Sequence, residues 1–299
     1  MDKLGIVVYA DKKLLYDYKG TEVPCLQMVD DILTFTKCDP TAVAINSTVN
    51  TFIETKKLKL AEKKCSVIHV GKKCGDCPQL RVHDKKMHKA SSLKYLGDTI
   101  YKSGKNFINI IERRAKAYAI FAEIRAILEN VPLGKYRTKI GLQLRQAMFV
   151  NGVLFNTEVW HGLKQADLDM LSIVDHKILR YIIQAHAKTH NEFLYLETGA
   201  IPLPFIVSSR RMIYLQNILK TEPKELVRRV FEAPKSNPTK GDFINLVLED
   251  FELTKLPYNE NVISEMGHSE YKTYIKKHNK SAALSHLKTI SSHSKVEKS

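Results

Sequence analysis

The sequence predicts an α+β protein in which a mixed N-terminal third is followed by an all-α remainder, and two observations carry this. Short β-branched runs separated by turn residues crowd the first hundred positions, whereas beyond Gly104 the apolar residues recur at i, i+3 and i+4 with few strand signals. The 299 residues are enough to bury a sizeable core, and 44% hydrophobic with 26% charged residues is a globular balance.

Taken in order, LGIVVYA is a short strand-like run, and VPCLQMV and ILTFT are two apolar runs separated only by Asp30 and Asp31. That pattern predicts a hairpin with carboxylates at its tip. From Asp39 to about Lys59, Ala42, Val43, Ile45, Val49, Phe52 and Ile53 fall at helical spacing behind an Asp39-Pro40 start signal. CSVIHVG alternates as a strand, a Cys- and Lys-rich loop follows, and SLKYLGDTI is a further strand with a Gly-Asp turn. Helices are then predicted over about 106–129, 135–150, 167–184 and 204–220, separated by Pro132 and Gly134, by HGLKQ, and by Gly199, Pro202 and Pro204. Shorter helices follow, one introduced by PKSNPTKGD near Asp242, and the polar SSHSKVEKS is expected to fray. The implied division is 1–103, 104–220 and 221–299.

A surplus of 47 Lys and Arg over 32 Asp and Glu gives a net charge of +15 and a pI near 9.4, which favours a polyanionic partner. Five cysteines, an odd number at low density, point to a reducing intracellular compartment, nuclear or cytoplasmic, rather than secretion. No run approaches ~18 apolar residues, so no membrane span is expected. Walker, dinucleotide and nucleophile-elbow motifs are absent, so no small-molecule cofactor is implied.

Three groups of residues carry chemistry. Asp30 and Asp31 repel one another at a hairpin tip, a cost that a divalent cation or a basic neighbour offsets; paired hard oxygens suit Mg²⁺, and nucleotidyl transfer uses two such ions. An ordinary polar turn is the alternative. Cys74, Cys77, His83 and His88 supply two thiolates and two imidazoles, a donor set for Zn²⁺. Only five residues separate Cys77 from His83, against about 12 in a zinc finger, so a hairpin through QLRVH is an equal reading. Arg113, Arg114, Lys116 and Arg125 on the first long helix, with Lys135, Arg137, Lys139 and Arg145 on or before the second, are expected to share a face opposite the apolar stripe and to follow a phosphate backbone. A solvated face paired with Glu112, Glu123 and Glu129 is the alternative. Trp160, Tyr181, Phe193 and Tyr195 are read as core, and His176, His186 and His190 form no catalytic set.

The order of these pieces resembles the C-terminal palm and thumb of non-LTR retrotransposon (LINE-type) reverse transcriptases, of the site-specific endonuclease-bearing branch. LQMVDDILTF resembles the catalytic hairpin, and KLKLAEKKCSVIHVGKK the region after the next palm helix. SLKYLGDTIYKSG resembles the primer-grip hairpin with its KYLG wording. IERRAKAYAIFAEIRAIL, NGVLFNTEVW and DHKILRYIIQ resemble thumb helices, and LYLETGAIPLPFIVSSRRMIYLQNIL with KGDFINLVLEDFEL the stretch after them. The resemblance covers roughly residues 14–298. It implies a fragment of an RNA-directed DNA polymerase. In it Asp30 and Asp31 bind Mg²⁺, Lys94, Tyr95, Leu96 and Gly97 support the primer terminus, and the thumb bases hold RNA template and RNA–DNA duplex. Met28 stands where the family often has an aromatic residue. The family's first metal-binding Asp and its fingers would precede Met1, since the interval from Asp11 to Asp30 has no room for the intervening helix. The isolated chain is therefore expected to be inactive. A non-catalytic nucleic-acid-binding module derived from a retroelement is the competing function.

Overall fold

The computed structural model describes residues 17–296 apart from positions 24, 29–30, 37–38, 59–60, 62–63, 71–78, 83–84, 96, 104–106, 161, 238 and 240. The chain divides into two compact units, Met1–Lys105 with Glu232–Ser236, and Asn106–Phe231 with Asn237–Ser299. The expected first boundary was 103/104.

The first unit consists of small ladders around one helix. β1 (Asp17–Tyr18) and β2 (Thr21–Glu22) form a hairpin across Lys19 and Gly20. β3 (Cys25–Met28) pairs antiparallel with β4 (Asp31–Thr34), and α1 (Asp39–Thr55) follows. α1 ends four residues before the expected Lys59, at a turn where Lys57 adopts φ 54. β5 (Ser66–Val67), much shorter than the strand CSVIHVG suggested, pairs in parallel with β8 (His88–Lys89). Between them lies the hairpin β6 (Arg81–Val82) and β7 (Lys85–Lys86). α1 holds this hairpin by two amides, Asn46 Nδ2 and Asn50 Nδ2, which donate to the Arg81 carbonyl at 2.8 and 2.9 Å. β9 (Ser92–Tyr95) and β10 (Asp98–Tyr101) close the unit as an antiparallel hairpin. The LGIVVYA strand expected at the start lies outside the described residues.

The second unit is helical, and the predicted helices form it. α2 (Phe107–Leu128) buries Ile110, Ala117, Ile120, Ile124 and Leu128, an i, i+3, i+4 stripe. α3 (Lys135–Leu144) runs through a π-helical turn at Arg145–Val150 into α4 (Asn151–Val153). The wider turn turns Arg145, Phe149 and Val150 inward together. α5 (Gln165–Ile183) starts with Asp167 accepting from the Lys164 backbone N–H at 3.0 Å and ends with Gln184 in the left-handed region. α6 (Asn191–Thr198) stops at Gly199, φ 67, and α7 (Leu203–Lys220) begins with Pro204 in its first turn. α8 (Leu226–Glu232), α9 (Phe243–Thr254), α10 (Glu260–Glu265) and α11 (His268–Val296) complete the chain. Asp242 begins α9 as expected, its carboxylate accepting from Thr239 N and Oγ1 at 2.6 and 2.7 Å.

Two apolar clusters organise this unit. One joins α2, α3, α5 and α6 around Phe149, Leu171, Ile178 and Leu194, with Leu287 of α11. The other joins α7, α9, α10 and α11 around Met212, Leu215, Val247 and Ile275. α3 and α5 approach so closely at Gly141 that an added Cβ would lie 2.6 Å from Ile182 Cγ1. Helices from both of the ranges 104–220 and 221–299 share this unit, α11 packing on α6, α7 and α9. Of the stretch SSHSKVEKS, expected to fray, positions 291–296 are helical and continue α11 to Val296.

Candidate nucleic-acid interface

The β3–β4 register pairs Met28 directly with Asp31, so Asp31 opens β4. Asp30 lies outside the described residues, and Asp31 is described through its backbone alone. The β9–β10 hairpin pairs Lys94 with Thr99 and Tyr95 with Asp98, and its turn carries Gly97. Gly97 takes φ 87, a region that costs glycine nothing and a side chain much. Lys94 is exposed and Tyr95 half-buried, while Leu96 lies outside the described residues. Of the zinc set, Cys74, Cys77 and His83 also lie outside them. His88 is exposed on β8 opposite Ser66. Among the described residues no group of three or more His, Cys, Asp or Glu could hold a metal.

The eight basic residues assigned to a phosphate-tracking face divide into two kinds. Arg113, Arg137 and Arg145 are 7%, 4% and 4% exposed. Arg113 donates to the Val153 carbonyl at 3.1 Å and lies 4.9 Å over the Trp160 ring. Arg137 ties the end of α2 to that of α5, donating to the carbonyls of Leu128, Val131 at 2.7 Å, and Ile182 at 3.3 Å. Arg145 grips Asp175 with two bonds of 2.6 Å, donates to the Ile201 carbonyl at 3.0 Å, and shares Asp175 with the Tyr195 hydroxyl at 2.9 Å. These three are internal cross-links and cannot reach a duplex. Their spacing already held the reason: 113 falls in the stripe 110, 117, 120, 124, and 137, 141, 145, 149 is a single i+4 row.

The other five remain at the surface. Arg114 is half-buried, and Lys116, Arg125, Lys135 and Lys139 are exposed, with Lys116 Nζ 3.1 Å from the Gly152 carbonyl. Along the seam of α2 and α5 these cations alternate with aromatic rings. Arg114 stands 5.8 Å and Lys177 Nζ 4.9 Å from the Tyr118 ring, and Arg125 stands 6.0 and 5.6 Å from Phe121 and Tyr181. Phe121 and Tyr181 meet edge to face at 6.2 Å. The Arg114 guanidinium beside Tyr118 pulls its hydroxyl below the usual range, and Lys177 adds to this although partial burial opposes it. Tyr118 and Lys177 were missed in the sequence. The signal was present as the i, i+4 pairs Arg114–Tyr118, Phe121–Arg125 and Lys177–Tyr181. Of the four aromatics read as core, Trp160 and Tyr195 are buried, Tyr181 is half-buried at this seam, and Phe193 is exposed. A cationic row interleaved with half-exposed rings can contact phosphates and stack on bases or sugars.

Compared with known proteins, the chain matches no family model, no curated protein and no solved structure. Among the described residues no helix is long and apolar enough to cross a membrane.

Proposed function

We propose that the chain is the catalytic-hairpin and thumb portion of an RNA-directed DNA polymerase of a non-LTR retrotransposon. The observation that carries this reading is an order of elements. Two antiparallel strands pair Met28 with Asp31, which heads the second of them, a helix of 17 residues follows, then a hairpin whose turn carries Gly97, and then helices whose first seam is basic and aromatic. In this reading Asp30 and Asp31 bind Mg²⁺, the turn at Lys94, Tyr95, Leu96 and Gly97 supports the primer end, and the α2–α5 seam holds the RNA–DNA hybrid. The three buried arginines set the spacing of the helices that present this seam.

Two carboxylates without a third leave the two-ion arrangement short of a ligand, so the purified 299-residue chain is expected to give no extension with primer, RNA template, dNTPs and Mg²⁺. Template-dependent product lost in Asp30→Ala would overturn that expectation. The hybrid-binding part is tested separately. Affinity for an RNA–DNA duplex should fall steeply with salt, and Arg114→Gln, Arg125→Gln and Lys177→Gln together should flatten the slope by about three. A slope unaltered by the triple variant would sink the seam's role.

A second reading, a non-catalytic nucleic-acid-binding module, is favoured by the basic seam alone, because that seam needs no acids. Mg²⁺-dependent strengthening of duplex binding that disappears in Asp30→Ala with Asp31→Ala would decide for the polymerase portion.

A further inference from the structure

α11 carries Lys272, Lys276, Lys277, Lys280, Lys288 and Lys295 against one acid, Glu270. Its inner seam advances four residues at a time through Tyr271, Ile275, Asn279, Ala283 and Leu287, all buried. Asn279 anchors it to α7, donating to Ser209 Oγ at 2.7 Å. The row one position later reads Lys272, Lys276, Lys280, Leu284 and Lys288, and all four lysines are exposed. None of the four is in an ion pair with a carboxylate among the described residues. The next row reads Thr273, Lys277, Ser281, Ser285 and Thr289, exposed throughout. Its hydroxyls fold back on the helix, Thr273 donating to the Ser269 carbonyl at 2.9 Å and Ser281 to Lys277 at 3.2 Å. The outer face is therefore a rank of ammonium groups beside a low, hydroxyl-bearing rank.

Like charges at i, i+4 oppose helix formation, and a polyanion laid along the row would turn that repulsion into attraction. From Lys272 to Lys288 the row extends about 24 Å at a rise of about 1.5 Å per residue, the lysines being about 6 Å apart along the axis from 272 to 280 and about 12 Å apart across Leu284. A strand offers a phosphate every ~3.4 Å of duplex axis, so long flexible lysine side chains along the row have phosphates of one or both strands within reach. Lysines beside small hydroxyl residues suit phosphate contact without reading bases. A membrane surface fits less well, because a helix lying in a bilayer interface needs its apolar face free, and that face of α11 is occupied by α6, α7 and α9.

We propose that the outer face of α11 is a second, sequence-independent docking track for a nucleic-acid phosphate backbone, separate from the α2–α5 seam. This extends the nucleic-acid reading but stands on its own residues. The test uses the full chain with Lys272→Gln, Lys276→Gln, Lys280→Gln and Lys288→Gln combined, and compares it with the seam variant Arg114→Gln, Arg125→Gln, Lys177→Gln. Binding to an RNA–DNA duplex and to single-stranded RNA is measured across a salt series. The α11 variant should lower the slope of log affinity against log salt by about three to four on duplex and about three on single strands. The same four positions changed to Arg should restore it. A slope unchanged by the α11 variant while its melting temperature is unaltered overturns the track, and if the seam variant still acts, the hybrid-binding function survives. The reverse outcome, an effect from α11 with none from the seam, supports the track and removes the seam. Co-sedimentation with phosphatidylserine vesicles that the α11 variant abolishes, with nucleic-acid binding unchanged, would also overturn it in favour of a membrane surface.

Discussion

The two units of this chain are built on opposite principles. Among the described residues of Met1–Lys105 the strands are two to four residues long and pair as five separate two-stranded ladders. The buried apolar residues described there are Val23, Ile45, Ile53, Leu80 and Val82. Isolated two-stranded ladders are marginal in water and need a helix or further strands against one face. In the helical unit, two clusters bury whole stripes of α2, α5, α7 and α11, and buried polar cross-links fix how the helices meet. The difference is one of burial: the ladders cover few apolar residues, while the helices bury continuous stripes and leave Lys116, Arg125, Lys135 and Lys139 exposed.

That contrast can be broken most forcefully at Asp175. Replacing it with Ala leaves the Arg145 guanidinium buried without its bidentate partner, and should cost about 3–5 kcal/mol. Urea unfolding of the helical unit by far-UV circular dichroism would measure it; a loss below 1 kcal/mol would mean the pair is not what sets the α3–α5–α6 junction.

The next effect depends on pH. Burial pushes the Asp250 carboxyl up to about 7, although Arg211, whose Nε is 2.8 Å away, pulls the other way. A carboxyl whose folded value is raised binds its proton more tightly in the folded state, so its contribution is most favourable below the unfolded value near 3.8 and declines as pH climbs toward 7. If the whole shift is expressed, the decline is at most about 4 kcal/mol. Asp250→Asn should flatten the stability profile between pH 4 and 7, and an unaltered profile would contradict the assignment.

Gly141→Val probes packing without charge. The new side chain must displace Ile182, and a penalty of about 1–3 kcal/mol is expected in the same unfolding measurement. The smallest change belongs to the ladder unit. Asn46→Ala and Asn50→Ala each remove one bond to the Arg81 carbonyl, worth about 1 kcal/mol. Their effect should appear as faster amide exchange in the β6–β7 hairpin with no shift in the helical transition. Coupled loss in both units would show that they do not differ as described.

How much was readable in advance follows the same division. The helices at 107–128, 165–183 and 203–220 were placed within a few residues because a long periodic stripe averages over many positions. The strands on either side of the acid pair were read as a hairpin, whereas SLKYLGDTI was read as one strand ending in a Gly-Asp turn and is two, Ser92–Tyr95 and Asp98–Tyr101. The strand at CSVIHVG was overestimated, because an alternating pattern states a preference for extended backbone but not whether a neighbour is present to pair with it. Of the eight basic residues expected on one helix face, Arg114, Lys116, Arg125, Lys135 and Lys139 stand at the surface and Arg113, Arg137 and Arg145 are buried, while Tyr118 and Lys177, which join them at the seam, were overlooked.

By itself the sequence determined the change from mixed to helical architecture near residue 105, the basic excess, and the positions of the turns, since each depends on local periodicity or on a single residue's backbone preference. Only the tertiary structure decided which arginines face solvent. Arg113, Arg137 and Arg145 are long enough to lie on an apolar stripe and still reach a carbonyl or carboxylate on another helix, and that acceptor, contributed from as much as 56 residues away, is invisible to any local pattern. For the same reason α11 became part of the helical body rather than an appendage: its amphipathic face was written in the chain, but the partner for that face was assembled only by folding.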